Sequence, residues 1–277
     1  MVNMQGKIIK QISNDYTVLI GEKKVVCKAR GKFRNMDITP LVGDNVVIDI
    51  DNRYIKEILP RRNVLIRPMV ANIDQALIVT SVHIPDFSSY LLDKLILQAE
   101  YNNVEPIICF TKLDLISNEK KNDIRKIEEY YRKIGYKVFE NTDLSLKDIF
   151  KDKITVLAGQ SGAGKSTLLN NLDCNLNLET NEVSVALGRG KHTTRHTELL
   201  SVLGGLIADT PGFSKLDNPI DKEQIKFCFK EFSLYDKCLY RDCMHDKEDD
   251  CCVKNNVKKG NILNSRYDNY IKFIRGD

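Results

Sequence analysis

A glycine-rich segment in the second half of this 277-residue chain has the residue types and spacing that bind phosphate groups. It matches the pattern G-x-x-x-x-G-K-[ST], in which glycines let backbone N–H groups wrap a phosphate and the N-terminus of the next helix adds positive partial charge. Lys165 should reach the β and γ phosphates, and the hydroxyl of Ser166 should be a ligand of Mg²⁺. The alternative is an ordinary glycine-rich turn. The predicted nucleotide-binding residues here are Gly159, Gln160, Ser161, Gly162, Ala163, Gly164, Lys165, Ser166 and Thr167.

A second motif has the chemistry to recognise the base. Thr111-Lys112-Leu113-Asp114 directly follows the apolar run EPIICF. The carboxylate of Asp114 can accept hydrogen bonds from both the N1–H and the 2-amino group of guanine, whereas adenine offers no such pair of donors. The tetrapeptide is similar to the N/T-K-x-D guanine motif of GTPases, although Thr111 lacks the amide of the more usual asparagine. Alone it could be a surface loop, but beside a phosphate loop it predicts a guanine nucleotide.

Two further segments could bind Mg²⁺ and the γ-phosphate. Asp209-Thr210-Pro211-Gly212 ends an apolar run and resembles a D-x-x-G motif. Asp209 would hold Mg²⁺ through water, and the N–H of Gly212 would contact the γ-phosphate. Thr193 or Thr194, in the polar segment that precedes this motif, is the expected second hydroxyl ligand of Mg²⁺, and the sequence does not choose between them. The second loop that contacts guanine is also open, with Asn141-Thr142 at roughly the expected place.

The order of these motifs differs from that of Ras-like GTPases. In those proteins the base-reading motif follows the phosphate-binding motifs, but here Asp114 precedes Gly159. The order therefore predicts a circularly permuted GTPase. This order also places the C-terminal segment directly after Gly212. A change from bound GTP to bound GDP could therefore be transmitted to that segment through a short stretch of chain.

Cysteine and histidine residues near the C-terminus have the spacing of a metal site. The pattern Cys238-x4-Cys243-x-His245-x5-Cys251 places three thiolates and one imidazole within 14 residues. In a reducing compartment such a set matches a closed, tetrahedral, structural Zn²⁺ site, which could supply folding free energy on the order of 10 kcal/mol. Cys252 could compete with Cys251, although we favour Cys251. The scattered cysteines are interpreted as packing residues: Cys27, Cys109, Cys174 and Cys228.

The elements that would position these residues fall into three predicted domains. Residues 1–68 contain short β-rich runs separated by turn residues, which favours a small closed barrel of the oligonucleotide-binding (OB) type. Residues 69–216 alternate strands and helices, which is typical of a doubly wound α/β domain with ligands at the carboxyl ends of its strands. Residues 217–277 are helical and rich in cysteine. The predicted fold class is therefore an α/β GTPase domain with an N-terminal OB-fold barrel and a C-terminal zinc-binding helical domain.

Composition and charge restrict the class of protein. Hydrophobic residues make up 42% and charged residues 29%, which is typical of a globular protein and argues against disorder. No run approaches the roughly 18 apolar residues that span a bilayer, and the start of the chain lacks the apolar core of a signal peptide, so we expect a cytoplasmic protein with no membrane partner. The net charge is +4, but residues 1–68 carry 13 Lys/Arg against 7 Asp/Glu. This excess indicates a polyanion partner such as RNA or, equally, a solvated basic face.

Over essentially its whole length the chain resembles the RsgA family of ribosome-small-subunit-dependent GTPases. The resemblance rests on the basic, strand-rich N-terminus, the permuted motifs TKLD, GQSGAGKST and DTPGF, and the Cys/His cluster. It implies GTP hydrolysis stimulated by the small ribosomal subunit and a role in the late maturation of that subunit. The implied partners are GTP, GDP and the small subunit with its rRNA. We expect a monomer with one structural Zn²⁺ and with Mg²⁺ bound together with GTP.

The resemblance also bears on the catalytic residues. Ras-type GTPases place a glutamine after D-x-x-G to orient the attacking water, but here Phe213 stands there and cannot hydrogen-bond. The family's H-T-T motif matches His192-Thr193-Thr194, so His192 is the candidate for orienting water, with Lys165 as the second catalytic residue. His192 could instead face solvent or contact RNA. Two other functions stay open: an RNA-binding switch that holds GTP but scarcely hydrolyses it, and an unrelated ATP-dependent enzyme with the same phosphate loop.

Overall fold

The computed structural model of the protein describes residues 2–31, 33, 38–66, 69–173, 176, 198–208, 220–235 and 237–276. These residues form an N-terminal barrel, a central six-stranded sheet with helices, and a C-terminal helical region that carries the Cys/His cluster. This confirms the predicted fold class. The division of the chain after residues 68 and 216 stays a prediction.

The barrel forms because short strands place apolar side chains toward a common interior. Its strands are β1 (Asn3–Ile12), β2 (Asp15–Ile20), β3 (Lys23–Ala29), β4 (Asn45–Asp49) and β5 (Tyr54–Ile58). Their closed order is β1-β2-β3-β5-β4, with β1 antiparallel to β4 and β3 parallel to β5. This order is that of an OB-type barrel. The interior contains buried apolar side chains, among them Ile8, Val18, Cys27, Val46, Ile48 and Ile55.

A short hairpin that the sequence analysis missed connects the barrel to the central sheet. It consists of β6 (Val64–Ile66) and β7 (Met69–Ala71). Strands of three residues are too short to show a period of two, so no pattern predicted them. The preceding residues 60–63 have the composition of a linker that leaves the barrel, but they are held in place. Arg61 donates two 2.7 Å hydrogen bonds to the carboxylate of Asp44, and the side chain of Asn63 hydrogen-bonds the N–H and the carbonyl oxygen of Ile73.

The central sheet brings the ends of the motif-bearing strands to one edge. It contains β8 (Gln75–Ser81), β9 (Glu105–Thr111), β10 (Lys137–Glu140), β11 (Ile154–Ala158), β12 (Leu199–Val202) and β13 (Gly205–Ala208). The order is β10-β9-β8-β11-β13-β12, and all neighbours are parallel except β12 with β13. Strand β8 lies between β9, which the base motif follows, and β11, which the phosphate loop follows. The carboxyl ends of these parallel strands therefore meet where a ligand is expected.

Three helices accompany this sheet: α1 (Ser89–Tyr101), α2 (Asn118–Lys133) and α3 (Lys165–Leu172). The sequence offers Ser88 or Ser89 as the cap of α1, and the cap is Ser88, whose side chain accepts a hydrogen bond from the N–H of Leu91. In the sequence, Gly204-Gly205 between the apolar runs LLSV and LIAD predicts a hairpin with its turn at the two glycines. Instead, Leu203 and Gly204 form the turn with φ of 48° and 74°, and Gly205 pairs with Val202. Left-handed values at both turn residues match the twist of a two-residue hairpin.

The C-terminal region is a small helical layer on α1. It contains α4 (Lys222–Ile225), α5 (Lys230–Ser233), α6 (Cys252–Lys258) and α7 (Asn264–Arg275). The sequence places Leu263, Tyr267, Tyr270 and Ile274 at helical spacing, which predicts a core-facing stripe. In α7, Tyr270 and Ile274 are buried in the core of this layer and Tyr267 packs against the same cluster, whereas Leu263 packs against the main core. Leu97 of α1 belongs to that cluster, so the layer shares a core with the central region.

A fully buried ion network joins the C-terminal region to α1 and α2. The guanidinium of Arg266 lies 2.6 Å from Asp93 of α1 and 2.7 Å from Glu231 of α5. The hydroxyl of Tyr131 and the amide of Asn269 also donate to Asp93. Burial opposes the charge of Arg266, but the two carboxylates outweigh it and hold the pKa of Arg266 well above its usual value. The network therefore contains a permanent buried cation between two acidic side chains.

Within the described part of the chain, no helix combines the length and apolar character needed to cross a membrane.

Candidate nucleotide site, metal site and nucleic-acid groove

The phosphate loop lies between β11 and α3, where its mechanism requires it. Its first glycine, Gly159, has φ of +131°, and a Cβ at this position would lie 2.1 Å from the carbonyl oxygen of Val79 on β8. Only glycine, which has no Cβ, lets the backbone come this close to β8. Gly162 and Gly164 also have positive φ, of 78° and 92°, and Gly164 is the N-cap of α3. The loop backbone is thus shaped by glycine into the conformation that directs N–H groups toward a phosphate.

The two polar residues that begin α3 are placed for phosphate and magnesium chemistry. The ammonium of Lys165 donates to the carbonyl oxygens of Gly159 and Gln160, at 2.9 and 2.7 Å, so it lies over the loop. Burial lowers the pKa of Lys165. Ser166 is buried in the first helical turn, whereas Thr167 is exposed. The helix N-terminus and the glycine-rich loop suit a chain of phosphates, and the buried hydroxyl of Ser166 suits Mg²⁺ bound to them.

The base motif touches the phosphate loop directly. The hydroxyl of Thr111 donates to the carbonyl oxygen of Ala163 at 2.7 Å, and the ammonium of Lys112 donates to that of Gly162 at 2.8 Å. Lys112 has φ of +64° and also bonds the carbonyl oxygen of Ile84, in the loop after β8. The two motifs are far apart in the chain, yet they are in direct contact in the fold. The Ile84 contact has no signal in the sequence, because it depends on the packing of two loops.

The rest of the base motif and the second candidate guanine loop lie at the same edge. Leu113 is buried and anchors a short 3-10 helix (Leu113–Leu115), while Asp114 is exposed. The loop after β10 begins with Asn141, whose N–H donates to the carbonyl oxygen of Phe110 at 2.9 Å. Asn141 therefore lies beside the strand residue that precedes Thr111. The remaining predicted site residues fall outside the described residues: His192, Thr193, Thr194, Asp209 and Gly212, together with Phe213.

The four predicted metal ligands converge on one point. The ligand atoms of Cys238, Cys243, His245 and Cys251 all lie within 4.8 Å of one another. Nδ1 of His245 is 3.7, 3.4 and 3.3 Å from the three sulfurs, and the sulfurs of Cys238 and Cys251 are 3.9 Å apart. Tetrahedral zinc with ordinary bond lengths requires separations of about 3.8 Å between sulfurs and about 3.5 Å between sulfur and nitrogen. The donor set therefore fits Zn²⁺.

The surroundings of the cluster hold its ligands in place. Cys251 is the N-cap of α6 and accepts a hydrogen bond from the N–H of Lys254, and the N–H of Cys252 donates to the sulfur of Cys238. Burial, helped by the ammonium of Lys226, lowers the pKa of His245 and favours the neutral imidazole that binds metal. The sulfur of Cys252 lies 2.6 Å from the carbonyl oxygen of Lys237 and is outside the cluster.

Glu248 is a residue of this centre that the sequence analysis did not identify. Its carboxylate accepts hydrogen bonds from the N–H groups of Met244 and Asp246, at 2.8 and 2.9 Å, on either side of His245. His245 itself has a left-handed backbone, with φ of 58°. The hydroxyl of Tyr267 donates to the carbonyl oxygen of His245 at 2.7 Å. Glu248 and Tyr267 thus fix the loop that presents the imidazole.

A groove of about 1090 Å³ opens on the barrel between β3, β5 and the loops around them. It combines basic, aromatic and amide side chains, including Lys28, Arg30, Tyr54, Asn14 and Asn52. Tyr54 is 40% exposed and can offer its ring. Such a combination suits a single-stranded nucleic acid, because the cations attract phosphates and an aromatic ring can stack on a base. Its residues come from four separate segments, so the sequence indicated only a basic N-terminal region.

Comparison with known proteins agrees with this geometry. A model of the RsgA GTPase family matches residues 58–219, and a model of the RsgA N-terminal domain matches residues 5–55. The chain is 45% identical to the small ribosomal subunit biogenesis GTPase RsgA of Enterococcus faecalis, over 99% of this chain and 95% of that one. It is 47% identical to the protein of the same name from Bacillus subtilis, over 98% and 96% of the two chains.

Solved structures show the same fold. The crystal structure of YloQ, described as a circularly permuted GTPase, aligns with a TM-score of 0.84 and 41% identity, over 99% of this chain and 95% of that one. YjeQ from Thermotoga maritima aligns with a TM-score of 0.86 and 35% identity, over 99% and 98% of the two chains. The permuted order predicted from the motifs is therefore that of a known fold.

Proposed function

Because this chain belongs to the RsgA GTPase family, we propose that it binds GTP with Mg²⁺, hydrolyses it to GDP and phosphate, and acts in biogenesis of the small ribosomal subunit. The observation that carries this proposal is the contact of Thr111 and Lys112 with the phosphate loop. One pocket can therefore receive the base and the phosphates of a single nucleotide. Membership of a GTPase family also argues against the alternative of an unrelated ATP-dependent enzyme.

Each motif residue has a proposed role in nucleotide binding. Asp114 accepts hydrogen bonds from guanine, and the stem of Lys112 packs across the base. The loop N–H groups and Lys165 hold the β and γ phosphates, and Ser166 with Thr193 or Thr194 supplies hydroxyls for Mg²⁺. Asp209 contacts the metal through water, and Gly212 contacts the γ-phosphate. Bound Mg²⁺ supplies positive charge that offsets the charge developing on the phosphates.

Hydrolysis requires a group that orients the attacking water, and we assign that role to His192. Phe213 cannot serve, because its side chain has no hydrogen-bonding atom. A neutral imidazole can accept a hydrogen bond from water near pH 7. Lys165 stabilises the transferring phosphoryl group. Phe213 is also the observation that favours the second candidate function, a GTP-binding switch with little hydrolysis.

The barrel groove and the C-terminal region are the proposed contacts with rRNA. Lys28 and Arg30 would attract phosphates, and the exposed ring of Tyr54 would stack on an unpaired base. Zn²⁺ would have a structural role, since four protein ligands leave no open position for chemistry. GTP-bound protein would dock on the subunit, and hydrolysis would release it. Because ribosomal subunits are assembled in the cytoplasm, we expect the protein to act there, and to act as a monomer.

Phosphate release with and without purified small subunits tests this function. We expect a slow basal rate that rises by at least about tenfold when subunits are added, because a partner can order catalytic groups around the phosphate. ATP should not replace GTP. A flat, very low rate in both conditions would favour the switch with little hydrolysis.

Two variants test the residue roles. Asp114→Asn should shift preference from guanine toward xanthine nucleotides, since an amide can pair with the second carbonyl of xanthine; retained GTP selectivity would refute the base assignment. His192→Ala should lower the subunit-stimulated rate and leave GTP affinity nearly unchanged. A normal stimulated rate would remove His192 from the mechanism.

Salt dependence tests the docking mode. Contacts between lysine or arginine and phosphates weaken steeply as salt displaces the released counterions. Binding to small subunits should therefore fall strongly between about 50 and about 300 mM salt, and Arg30→Glu should weaken it further. Binding that does not change over this range would rule out docking through basic side chains.

A further inference from the structure

The loop that follows strand β8, residues 82–87, touches both described motifs of the nucleotide site, although no motif marks it in the sequence. The carbonyl oxygen of Ile84 accepts a hydrogen bond from the ammonium of Lys112. The ring of Pro85 lies beside the phosphate loop, since a Cβ at Gly162 would be 3.7 Å from its Cδ. The loop therefore borders the place where the base motif and the phosphate loop meet.

The backbone of Ile84 has an unfavourable conformation for its residue type. Its φ is +37°, and it is the only β-branched residue among the described non-glycine residues with a positive φ. A branched side chain crowds the backbone in this region, which is therefore rare for isoleucine. The side chain is 72% exposed, so its packing does not explain the conformation. Backbone strain of this kind occurs most often at active sites and ligand clamps.

Neighbouring contacts hold the loop in this conformation. The hydroxyl of Ser81, buried at the end of β8, donates to the carbonyl oxygen of His83 at 2.8 Å and accepts from the N–H of His83 at 3.2 Å. On the other side of Ile84, Phe87 packs against the core, and its ring centroid lies 5.9 Å from that of Phe110 on β9. The carbonyl group of Ile84 is therefore presented by a loop that is fixed on both sides.

The contact with Ile84 completes a clamp on the side chain of Lys112. The ammonium donates to two backbone carbonyl oxygens, those of Ile84 and Gly162, which belong to two different loops. A free lysine side chain has many rotamers, and ordering such a side chain when a ligand binds costs affinity. Because the tip of Lys112 is already held, its stem is ordered across the place proposed for the base.

We propose that Ile84 is a positioning residue of the nucleotide site, whose carbonyl oxygen holds the ammonium of Lys112 so that the lysine stem is ordered before a guanine nucleotide binds. The loop after β8 is then a further segment of the site, beside the base motif and the phosphate loop. This inference rests on the proposed function, because it deepens the role given there to Lys112. Ile84 acts only through Lys112, and its side chain has no assigned contact with the nucleotide.

A double-mutant cycle with GDP as the probe tests this role. Ile84→Pro fixes φ at about −65°, which turns the carbonyl oxygen away from Lys112. Lys112→Met removes the ammonium and keeps an unbranched apolar stem. GDP binding is measured by calorimetry for the full-length wild type, the two single variants and the double variant, together with the midpoint of thermal unfolding. GDP contains the base, the ribose and two phosphates, so its binding does not depend on hydrolysis.

We expect Ile84→Pro to weaken GDP binding about three- to tenfold, the range for ordering one long side chain on binding. Lys112→Met should weaken it at least as much, because both hydrogen bonds of the ammonium are lost. In the Lys112→Met background, Ile84→Pro should have less than about twofold further effect, since no ammonium is left to hold. A purely structural role of Ile84 would instead give the same loss in both backgrounds.

Two further variants separate positioning from loss of stability. Arg53→Pro is the matched control, because Arg53 is also exposed, has a φ of 55° and accepts a hydrogen bond through its carbonyl oxygen, from the N–H of Lys28. It should lower the midpoint of unfolding and leave GDP affinity unchanged, since Arg53 lies on the barrel. Ser81→Ala loosens the loop without changing Ile84, and it should weaken GDP binding about twofold or more.

Several results would overturn the proposal. One is GDP affinity in Ile84→Pro or Ser81→Ala equal to that of the wild type. Another is an effect of Ile84→Pro that is equally large with and without the ammonium of Lys112. A loss of GDP affinity in Arg53→Pro as large as in Ile84→Pro would also count against it. A wild-type protein that does not bind GDP would instead refute the proposed function, and this proposal with it.

Discussion

The barrel and the C-terminal region both share apolar core with the central region, but the polar contacts that accompany this packing differ. The barrel contributes to the same buried apolar cluster as the central sheet, and its polar contacts with that region are backbone bridges and partly exposed ion pairs, such as Lys10 with Glu198 and Arg62 with Asp74. The C-terminal region shares a hydrophobic core with α1 and encloses Arg266, which is 1% exposed, between two buried carboxylates.

This difference separates a contact that can change from one that resists change. A partly exposed ion pair contributes about 0–1 kcal/mol, so its loss leaves the fold intact. A buried ion pair that loses one partner leaves an uncompensated charge, at a cost of about 3–5 kcal/mol. We therefore expect the polar contacts of the barrel to tolerate substitution and the buried ion network to fix the orientation of the C-terminal region.

Loss of zinc should have the largest effect, and it should be confined to the C-terminal region. Cys251→Ser removes a ligand, and metal binding contributes on the order of 10 kcal/mol to the folding of small zinc sites. We expect loss of bound zinc and of protease resistance in residues 220–276, with GTP affinity largely kept. Metal content per chain and limited proteolysis measure this.

The neighbouring cysteine provides the control for this variant. Cys252→Ser should keep its zinc, because the Cys252 sulfur contacts the carbonyl oxygen of Lys237 and lies outside the cluster. Zinc retained by Cys251→Ser and lost by Cys252→Ser would reverse the ligand assignment.

Removal of the buried cation should have the next largest effect. Arg266→Met leaves Asp93 and Glu231 buried without their partner, and we expect the free energy of unfolding in urea to fall by about 3–5 kcal/mol. Addition of Asp93→Asn and Glu231→Gln should recover part of this loss, because the unpaired charges are then gone.

Arg275→Met is the matched control. Arg275 is also on α7 and pairs with Asp246, but its side chain is 54% exposed. The expected loss is below about 1 kcal/mol. Equal losses for the two arginine variants would contradict the contrast between buried and surface attachment.

A smaller effect is expected where the barrel backbone approaches the hairpin. Gly43 has φ of +92°, and a Cβ there would lie 2.0 Å from the carbonyl oxygen of Ala71. Gly43→Ala should lower the free energy of unfolding by about 2 kcal/mol or more, since left-handed strain alone costs about 1–2 kcal/mol and the contact must also open. Gly21→Ala, with φ of +57° and open space around it, should show the strain alone. If Gly43→Ala lost no more free energy of unfolding than Gly21→Ala, the backbone of Gly43 would not be closely packed against Ala71.

The smallest effect should come from a surface ion pair of the barrel attachment. Arg62 lies 2.8 Å from Asp74 and its side chain is 61% exposed. Arg62→Met should change the free energy of unfolding by less than about 1 kcal/mol, and less still at high salt. Lys137→Met, which removes a surface ion pair with Glu105, should change the free energy of unfolding by a similarly small amount. A loss as large as that of Arg266→Met would show that the barrel is attached as firmly as the C-terminal region.

Local chemistry made the two principal sites predictable. The phosphate loop needs glycines at fixed offsets, followed by lysine and serine, and these requirements are met within eight consecutive residues. The zinc ligands Cys238, Cys243, His245 and Cys251 likewise lie within one short segment, which limits how they can be arranged. The sequence also predicts a helix around residues 119–134, close to the observed α2, whose N-cap Ser117 is a local signal.

Features that depend on distant partners were not predictable in this way. Arg266 on an amphipathic helix would ordinarily be assigned to the surface, and only packing against α1 shows it to be buried. The barrel groove collects residues from four segments, and the turn at Leu203-Gly204 is shifted by one residue because Gly205 packs against the carbonyl oxygen of Phe150. These outcomes are set by neighbours that no local pattern encodes.

The sequence by itself determined which chemistry the chain carries, because phosphate, guanine and zinc recognition each depend on a few residue types at short spacing. The tertiary structure decided that Thr111 and Lys112 contact Ala163 and Gly162, and that the polar contacts of the two flanking regions are exposed in one case and buried in the other. The physical reason is that strand order and burial depend on the whole core, whereas a motif's chemistry depends only on the few atoms it contains.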